Sequence, residues 1–200
     1  MQITEYEKIK NMSYAKYCDY LQNKYGISSY NYMTERWEKN PKCSRTMEGL
    51  VAHHKYEDHA IRLSKKEYAM KHPFEWQLAK NIIFCDLLEH LFLHILICEE
   101  AIKSNTQHKL LGIRGILCYM IPELNDVYGG WKSQKQWEIN CHNQIINDKN
   151  VYLTLIKRMR KSCRNYPLYS DSKLYTSLNE KFGNWTKHQN EQLYSEMSIL

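Results

Sequence analysis

NIIFCDLLEHLFLH, residues 81–94, is the stretch on which the fold of this 200-residue chain turns. Asn81 opens four β-favouring residues, Ile82 to Cys85. Asp86 with Glu89 three positions later then makes a helix-start signal, an acceptor at the cap answered by an acid in the first turn. The helix that follows, Leu87 to about Lys103, is apolar round most of its circumference, as expected of an element buried between others. His90 and His94 stand four apart on it, so both imidazoles leave one face about 6 Å apart and can close on a single cation. By itself such a pair more often marks buried rings satisfied by backbone or carboxylate partners, so its neighbours matter.

Upstream, Gly49-Leu50-Val51-Ala52 is a short apolar run after a turn residue, which predicts a strand delivering His53 and His54 at its end. Six of the nine histidines fall between residues 53 and 94, a concentration that composition alone does not explain. Between the two strands, Ser64-Lys65-Lys66-Glu67 has the form of a capping box. It predicts a short helix ending near His72, because Pro73 disfavours helical geometry in the residue before it, with a second short helix over 74–80. Residues 4–25 suit one helix, with Tyr6, Tyr14, Tyr17, Leu21 and Tyr25 at helical spacing and Gly26 as a C-terminal cap. The segment from Ile27 into Pro41 and Glu48 reads as an irregular arm. Beyond residue 104, helical patterns at 107–120, 133–147, 150–163, 171–182 and 186–198 are separated by Pro122, Gly129-Gly130, Pro167 and Gly183. The predicted class is α+β and predominantly α-helical: an N-terminal helix and arm (1–48), a centre (49–104) and a helical C-terminal region (105–200).

With 43% hydrophobic and 25% charged residues, the chain has the proportions of a globular domain large enough to bury a core, and a disordered or fibrous class is excluded. A net charge of +6 favours an acidic partner such as nucleic acid without demanding one. Sixteen tyrosines and five tryptophans can stack on bases but serve equally as core filling. The seven cysteines are odd in number and no two have a two-residue gap, so no zinc ribbon is readable. The start MQITEYEKIK has charges where a secretory signal needs an apolar run, so reduced thiols and a cytoplasmic location are expected. LFLHILI, the longest apolar stretch, is too short to cross a bilayer, and no membrane partner is expected.

Together, GLVAHH (49–54) and NIIFCDLLEHLFLH (81–94) resemble the HNH, or His-Me finger, nucleases, whose core is a β-hairpin crossed by one helix around a single metal ion. The resemblance implies a small ββα-metal core embedded in helices. It implies that His53, His90 and His94 bind the metal, that His54 is the general base and that Asn81 holds His54 in orientation. The three-histidine set is most similar to the bacteriocin-type branch of the family. The match spans residues 49–94; 26 residues between His54 and Asn81 imply an inserted helical excursion, and Cys85 has no CxxC partner to form the staple of many members.

The function so implied is a metal-dependent endonuclease hydrolysing phosphodiester bonds in double-stranded DNA, with His54 activating water and the ion stabilising the leaving group. One divalent ion is expected, Mg²⁺ in use, although three imidazoles also suit Zn²⁺, Ni²⁺ or Mn²⁺. For phosphate grip the expected residues are Lys157, Arg158, Arg160, Lys161 and Arg164, with Lys39, Lys42 and Arg45 as a second cluster near the catalytic strand. Glu57, Asp58 and His59 follow the first strand either as a solvated loop or as carboxylate support for a ligand imidazole. Two other readings remain: a nucleic-acid-binding or inhibitor protein with a structural histidine-metal site, and a metal hydrolase acting on another phosphoester. Oligomeric state is open, a homodimer included.

Overall fold

A computed structural model describes residues 1–180 and 183–200. Its elements are α1 (Ile3–Ile9), α2 (Tyr14–Tyr25), β1 (Val51–His54), α3 (Lys66–Ala69), β2 (Ile82–Cys85), α4 (Leu87–Lys103), α5 (Ile113–Gly115), α6 (Ile121–Gly129), α7 (Gln136–Asn143), α8 (Lys149–Cys163) and α9 (Glu191–Ser198). The two strands pair antiparallel, Val51 opposite Cys85 and His54 opposite Ile82. All four residues of β2 are buried although alternate side chains point to opposite faces, so the hairpin is covered on both sides at that strand. The chain passes directly from β2 into α4 through the capping box its sequence predicts. The Asp86 carboxylate accepts from the Glu89 amide at 2.8 Å, and the Glu89 carboxylate accepts from the Asp86 amide at 2.8 Å.

Helix α4 packs against both strands, against α2 and against α8. Its Leu88, Leu91, Phe92, Leu93 and Ile95 are completely buried, each contributing about 1.5–3 kcal/mol relative to an exposed position. One apolar cluster runs from Tyr6 and Tyr17 through Phe92 to Tyr152, Met159 and Met197, so segments from both ends of the chain close over the same central helix. A smaller cluster of Tyr32, Met33, Leu50, Ile82 and Phe84 anchors the arm to the hairpin. Cys85 is buried with no disulfide partner, as are five of the other six cysteines, so strand pairing and packing hold the hairpin without a disulfide. Among the described residues no helix is long and apolar enough to cross a membrane.

Several boundaries differ from the sequence expectation, each for a local reason. Residues 4–25 form two helices because Ser13 caps a new one, its hydroxyl accepting from the Lys16 amide at 3.4 Å. The box at Ser64 does not form. Lys65 takes the cap position of α3 without a side-chain bond, and 74–81 holds two short 3₁₀ turns. Pro122 does not end a helix: α5 continues through a π-type turn, Ile116–Met120, into α6. Proline lacks the amide that would bond one turn back, and the widened turn before it absorbs the missing bond and the ring. The 171–182 pattern yields a 3₁₀ turn at Asp171–Leu174, and its last two residues lie outside the described ones.

Candidate metal centre

Adjacent strand residues face opposite ways, and His53 and His54 divide accordingly. His53 turns toward α4, its ring centroid 5.3 Å from that of His90 and 5.1 Å from that of His94. His90 and His94 are themselves 5.0 Å apart, as the helical spacing requires. One ring nitrogen from each of the three lies within 4.8 Å of the others, so this group can hold a metal ion. An ion with nitrogen ligands at about 2.0–2.1 Å holds them roughly 3–4 Å apart, a distance within reach of small side-chain rotations. His53 and His94 are buried and His90 is half-buried.

Hydrogen bonds determine which nitrogens are left bare. His94 Nδ1 faces the Gly112 carbonyl at 3.1 Å; a carbonyl only accepts, so Nδ1 carries the proton and Nε2 is the free lone pair. The Tyr14 hydroxyl has the Lys55 carbonyl at 3.0 Å to donate to, so at 2.8 Å it accepts from His53 Nε2–H and leaves His53 Nδ1 bare. The Gln77 amide nitrogen donates to the Leu63 carbonyl at 3.3 Å, so its oxygen accepts from His54 Nε2–H at 3.0 Å and leaves His54 Nδ1 bare. These three nitrogens are buried and, among the described residues, without a hydrogen-bond partner. A ligand imidazole whose other nitrogen is fixed by a carbonyl or hydroxyl is the arrangement by which proteins orient metal-binding histidines.

All three bare nitrogens face one carboxylate. The Glu57 amide donates to the His54 carbonyl at 3.0 Å, a turn that folds the chain back over β1. The side chain, 18% exposed, then stands 3.2 Å from His94 Nε2, 3.7 Å from His53 Nδ1 and 3.5 Å from His54 Nδ1. Burial opposes ionisation of Glu57, while protonation of the facing imidazoles would hold its carboxyl well below the usual range. Burial, reinforced by the neighbouring imidazoles, pushes His53 down to about 3 and His90 well below the ordinary histidine value, so both are neutral, as metal ligands must be. An anionic oxygen opposite bare lone pairs needs positive charge between them, which a proton on an imidazole or a bound divalent cation supplies.

The region after α4 completes the centre. Gly112, at φ 73°, brings its carbonyl to His94, and Gly115 lies so close that an added Cβ would meet the His94 ring at 2.8 Å. Gly115→Ala is therefore expected to displace the His94 imidazole and to weaken divalent-metal affinity by about 10- to 100-fold, the range found when support of a ligand is lost. Calorimetric metal titration checks this, and unchanged affinity would show that the ring is not a ligand. Beside His90, His94 and Glu57 opens a cavity of about 390 Å³ whose far walls come from residues 110–124 and Trp137.

Other expected site residues are placed differently. Asn81 does not touch His54; its amide donates to the Glu75 carbonyl at 2.8 Å, and its own carbonyl accepts from the Lys55 amide at 2.9 Å, closing the base of the hairpin. Gln77 holds His54 instead, because the 3₁₀ turn at Phe74–Gln77 lays it under the ring. The basic run on α8 is not a free cationic face. Arg158 pairs with both oxygens of Glu99 at 2.8 and 2.7 Å and donates to the Lys10 carbonyl at 2.6 Å. Arg160 donates to the Met197 carbonyl at 2.5 Å and the Tyr175 hydroxyl at 2.6 Å, leaving only Lys157, Lys161 and Arg164 exposed. In the second cluster Arg45 pairs with Glu48, while Lys39 and Lys42 lie over the rings of Tyr32 and Tyr30. The sequence carried no signal for Tyr14, Gly112 or Gly115, remote from the histidine motif in the chain, or for Gln77 within the insertion; Glu57 was within sight as a carboxylate three residues past His54. No protein-family profile, curated protein or solved structure matches this chain.

Proposed function

We propose that this protein is a metal-dependent phosphodiesterase of the HNH (His-Me finger) type, acting on nucleic acid. The observation that supports this most is the group of His53, His90 and His94 on a β-hairpin and its crossing helix, whose ring nitrogens lie within 4.8 Å of one another. His53, His90 and His94 would hold one divalent ion. Bound there, the ion supplies Lewis-acid charge to phosphate oxygens and the leaving group.

The remaining chemistry belongs to the chain's own residues. His54 is outside the ligand group, with its bare Nδ1 3.5 Å from the Glu57 carboxylate, and in this reading it takes a proton from an attacking water. Gln77 fixes the tautomer this requires, since a ring protonated at Nε2 keeps Nδ1 as the acceptor. Tyr14 and Gly112 do the same for the ligand rings. Glu57 balances the cation's charge and stands beside His54 Nδ1, where it stabilises the imidazolium formed after proton transfer.

The test is hydrolysis of nucleic acid by protein stripped with chelator and reloaded with Mg²⁺, Mn²⁺, Ni²⁺ or Zn²⁺. Cleavage that requires the ion and disappears with chelator is expected; no cleavage with any of the four would refute the proposal. A second reading, a structural ion in a binding or inhibitor protein, draws on the burial of His53 and His94. Chelator-induced unfolding without any cleavage would favour it.

A further inference from the structure

Resting on the phosphodiesterase reading, we infer that the substrate enters as an unpaired nucleotide of a single strand, its phosphate at the histidine group and its base in the adjoining cavity, and not as intact duplex. The cavity of about 390 Å³ falls in the size range of small-ligand pockets, ~300–1,000 Å³, and is bounded on one side by His90, His94 and Glu57. Its lining includes the apolar Leu87, Leu110, Met120 and Leu124, with Glu123 as a second carboxylate beside Glu57. Such a surface accepts a planar base and offers nothing to a paired, phosphate-faced helix.

The rim supplies the complementary groups. Tyr119 and Trp137, 61% and 44% exposed, line the cavity as large rings left in water. Aromatic faces of this kind stack on any base without reading its identity. Arg62 and Arg114 add positive charge at the same mouth, both exposed and, among the described residues, in no ion pair. Tyr119 lies on the π-type turn of residues 116–120, and such turns occur frequently at functional sites. A duplex keeps its bases stacked inside, so a base enters the cavity only after its nucleotide has left the helix. In the chain's densest basic run, Arg158 is bound to Glu99, five residues beyond His94 and roughly 7.5 Å along α4, which leaves Lys157, Lys161 and Arg164 exposed.

The decisive experiment uses full-length His54→Ala protein loaded with Mn²⁺, so that binding is read without turnover. Fluorescence anisotropy is measured with a short labelled single-stranded oligonucleotide and with the same strand annealed to its complement. The single strand is expected to bind at least about tenfold more tightly. Arg114→Ala and Tyr119→Ala, both at exposed positions, are each expected to weaken single-strand binding by roughly fivefold or more with metal content unchanged. Equal or tighter binding of the duplex, or an unchanged preference in both variants, overturns the inference. If the preference holds while wild-type protein cleaves neither form, the phosphodiesterase reading fails and this one stands as a binding function.

Discussion

His54→Ala protein is expected to take up its metal with parental affinity and to hydrolyse phosphodiesters about 10²- to 10⁴-fold more slowly, the usual contribution of a general base. The ring is 1% exposed, hydrogen-bonded through Nε2 to Gln77 and bare at Nδ1, so its removal takes away a proton acceptor without touching the group formed by His53, His90 and His94. Because the deletion leaves a cavity beneath Tyr32, His54→Asn serves as a better-filled companion, and both should show the same loss of rate. Gln77→Leu should lose less, roughly tenfold, since the ring remains but its tautomer is no longer imposed. Single-turnover rates alongside metal content measured by atomic emission decide the matter. Parental rates in both His54 variants would remove His54 from the mechanism.

His94→Ala should cost the protein its metal, lowering affinity by at least about a hundredfold and abolishing the thermal stabilisation the ion confers. At a free metal concentration near one hundred times Kd, binding contributes about 2.7 kcal/mol to stability. For a chain of this size each kcal/mol moves Tm by about 2–4 °C, so the parent should melt about 5–10 °C higher with metal than with chelator. His94→Ala should melt at the same temperature in both. Deleting a 94% buried ring also costs packing, and His94→Gln, closer in volume, separates the two effects because only the metal-dependent part of the melting shift is read. A parental metal-dependent shift in either variant would show that His94 is not a ligand and that the ion, if bound, sits elsewhere.

The hairpin and its helix were legible from residues 49–54 and 81–103 because the signals that make them are local. Ile82-Ile83-Phe84-Cys85 is a buried strand by composition, Asp86 and Glu89 cap each other across three residues, and His90 and His94 share a face by helical pitch alone. Even the 26-residue insertion did not blur the hairpin: β1 ends at His54 as expected, and β2 starts at Ile82, one residue after the expected Asn81. Punctuation was less dependable where a second interaction competed with it. Ser13 broke a helix that spacing alone would continue, and Pro122 failed to break one because a widened turn accommodates its ring. The basic run on α8 misled because charge in a sequence carries no label for its partner; Glu99, Tyr175 and the Met197 carbonyl claim two of its arginines.

Sequence pattern by itself thus determined a β-hairpin, a crossing helix and four histidines, two on the first strand and two on the helix, because strand burial, capping and helical pitch act between residues a few positions apart. Tertiary structure alone decided what those histidines can do. Which nitrogen of each ring stays bare depends on Tyr14, 39 positions before His53; on Gln77, 23 after His54; and on the Gly112 carbonyl, 18 after His94. Those distances are bridged only when apolar burial folds α2, the inserted segment and the chain beyond α4 over the hairpin. A single proton's position on an imidazole is set by the neighbour that packing delivers, and no periodicity in the chain encodes it.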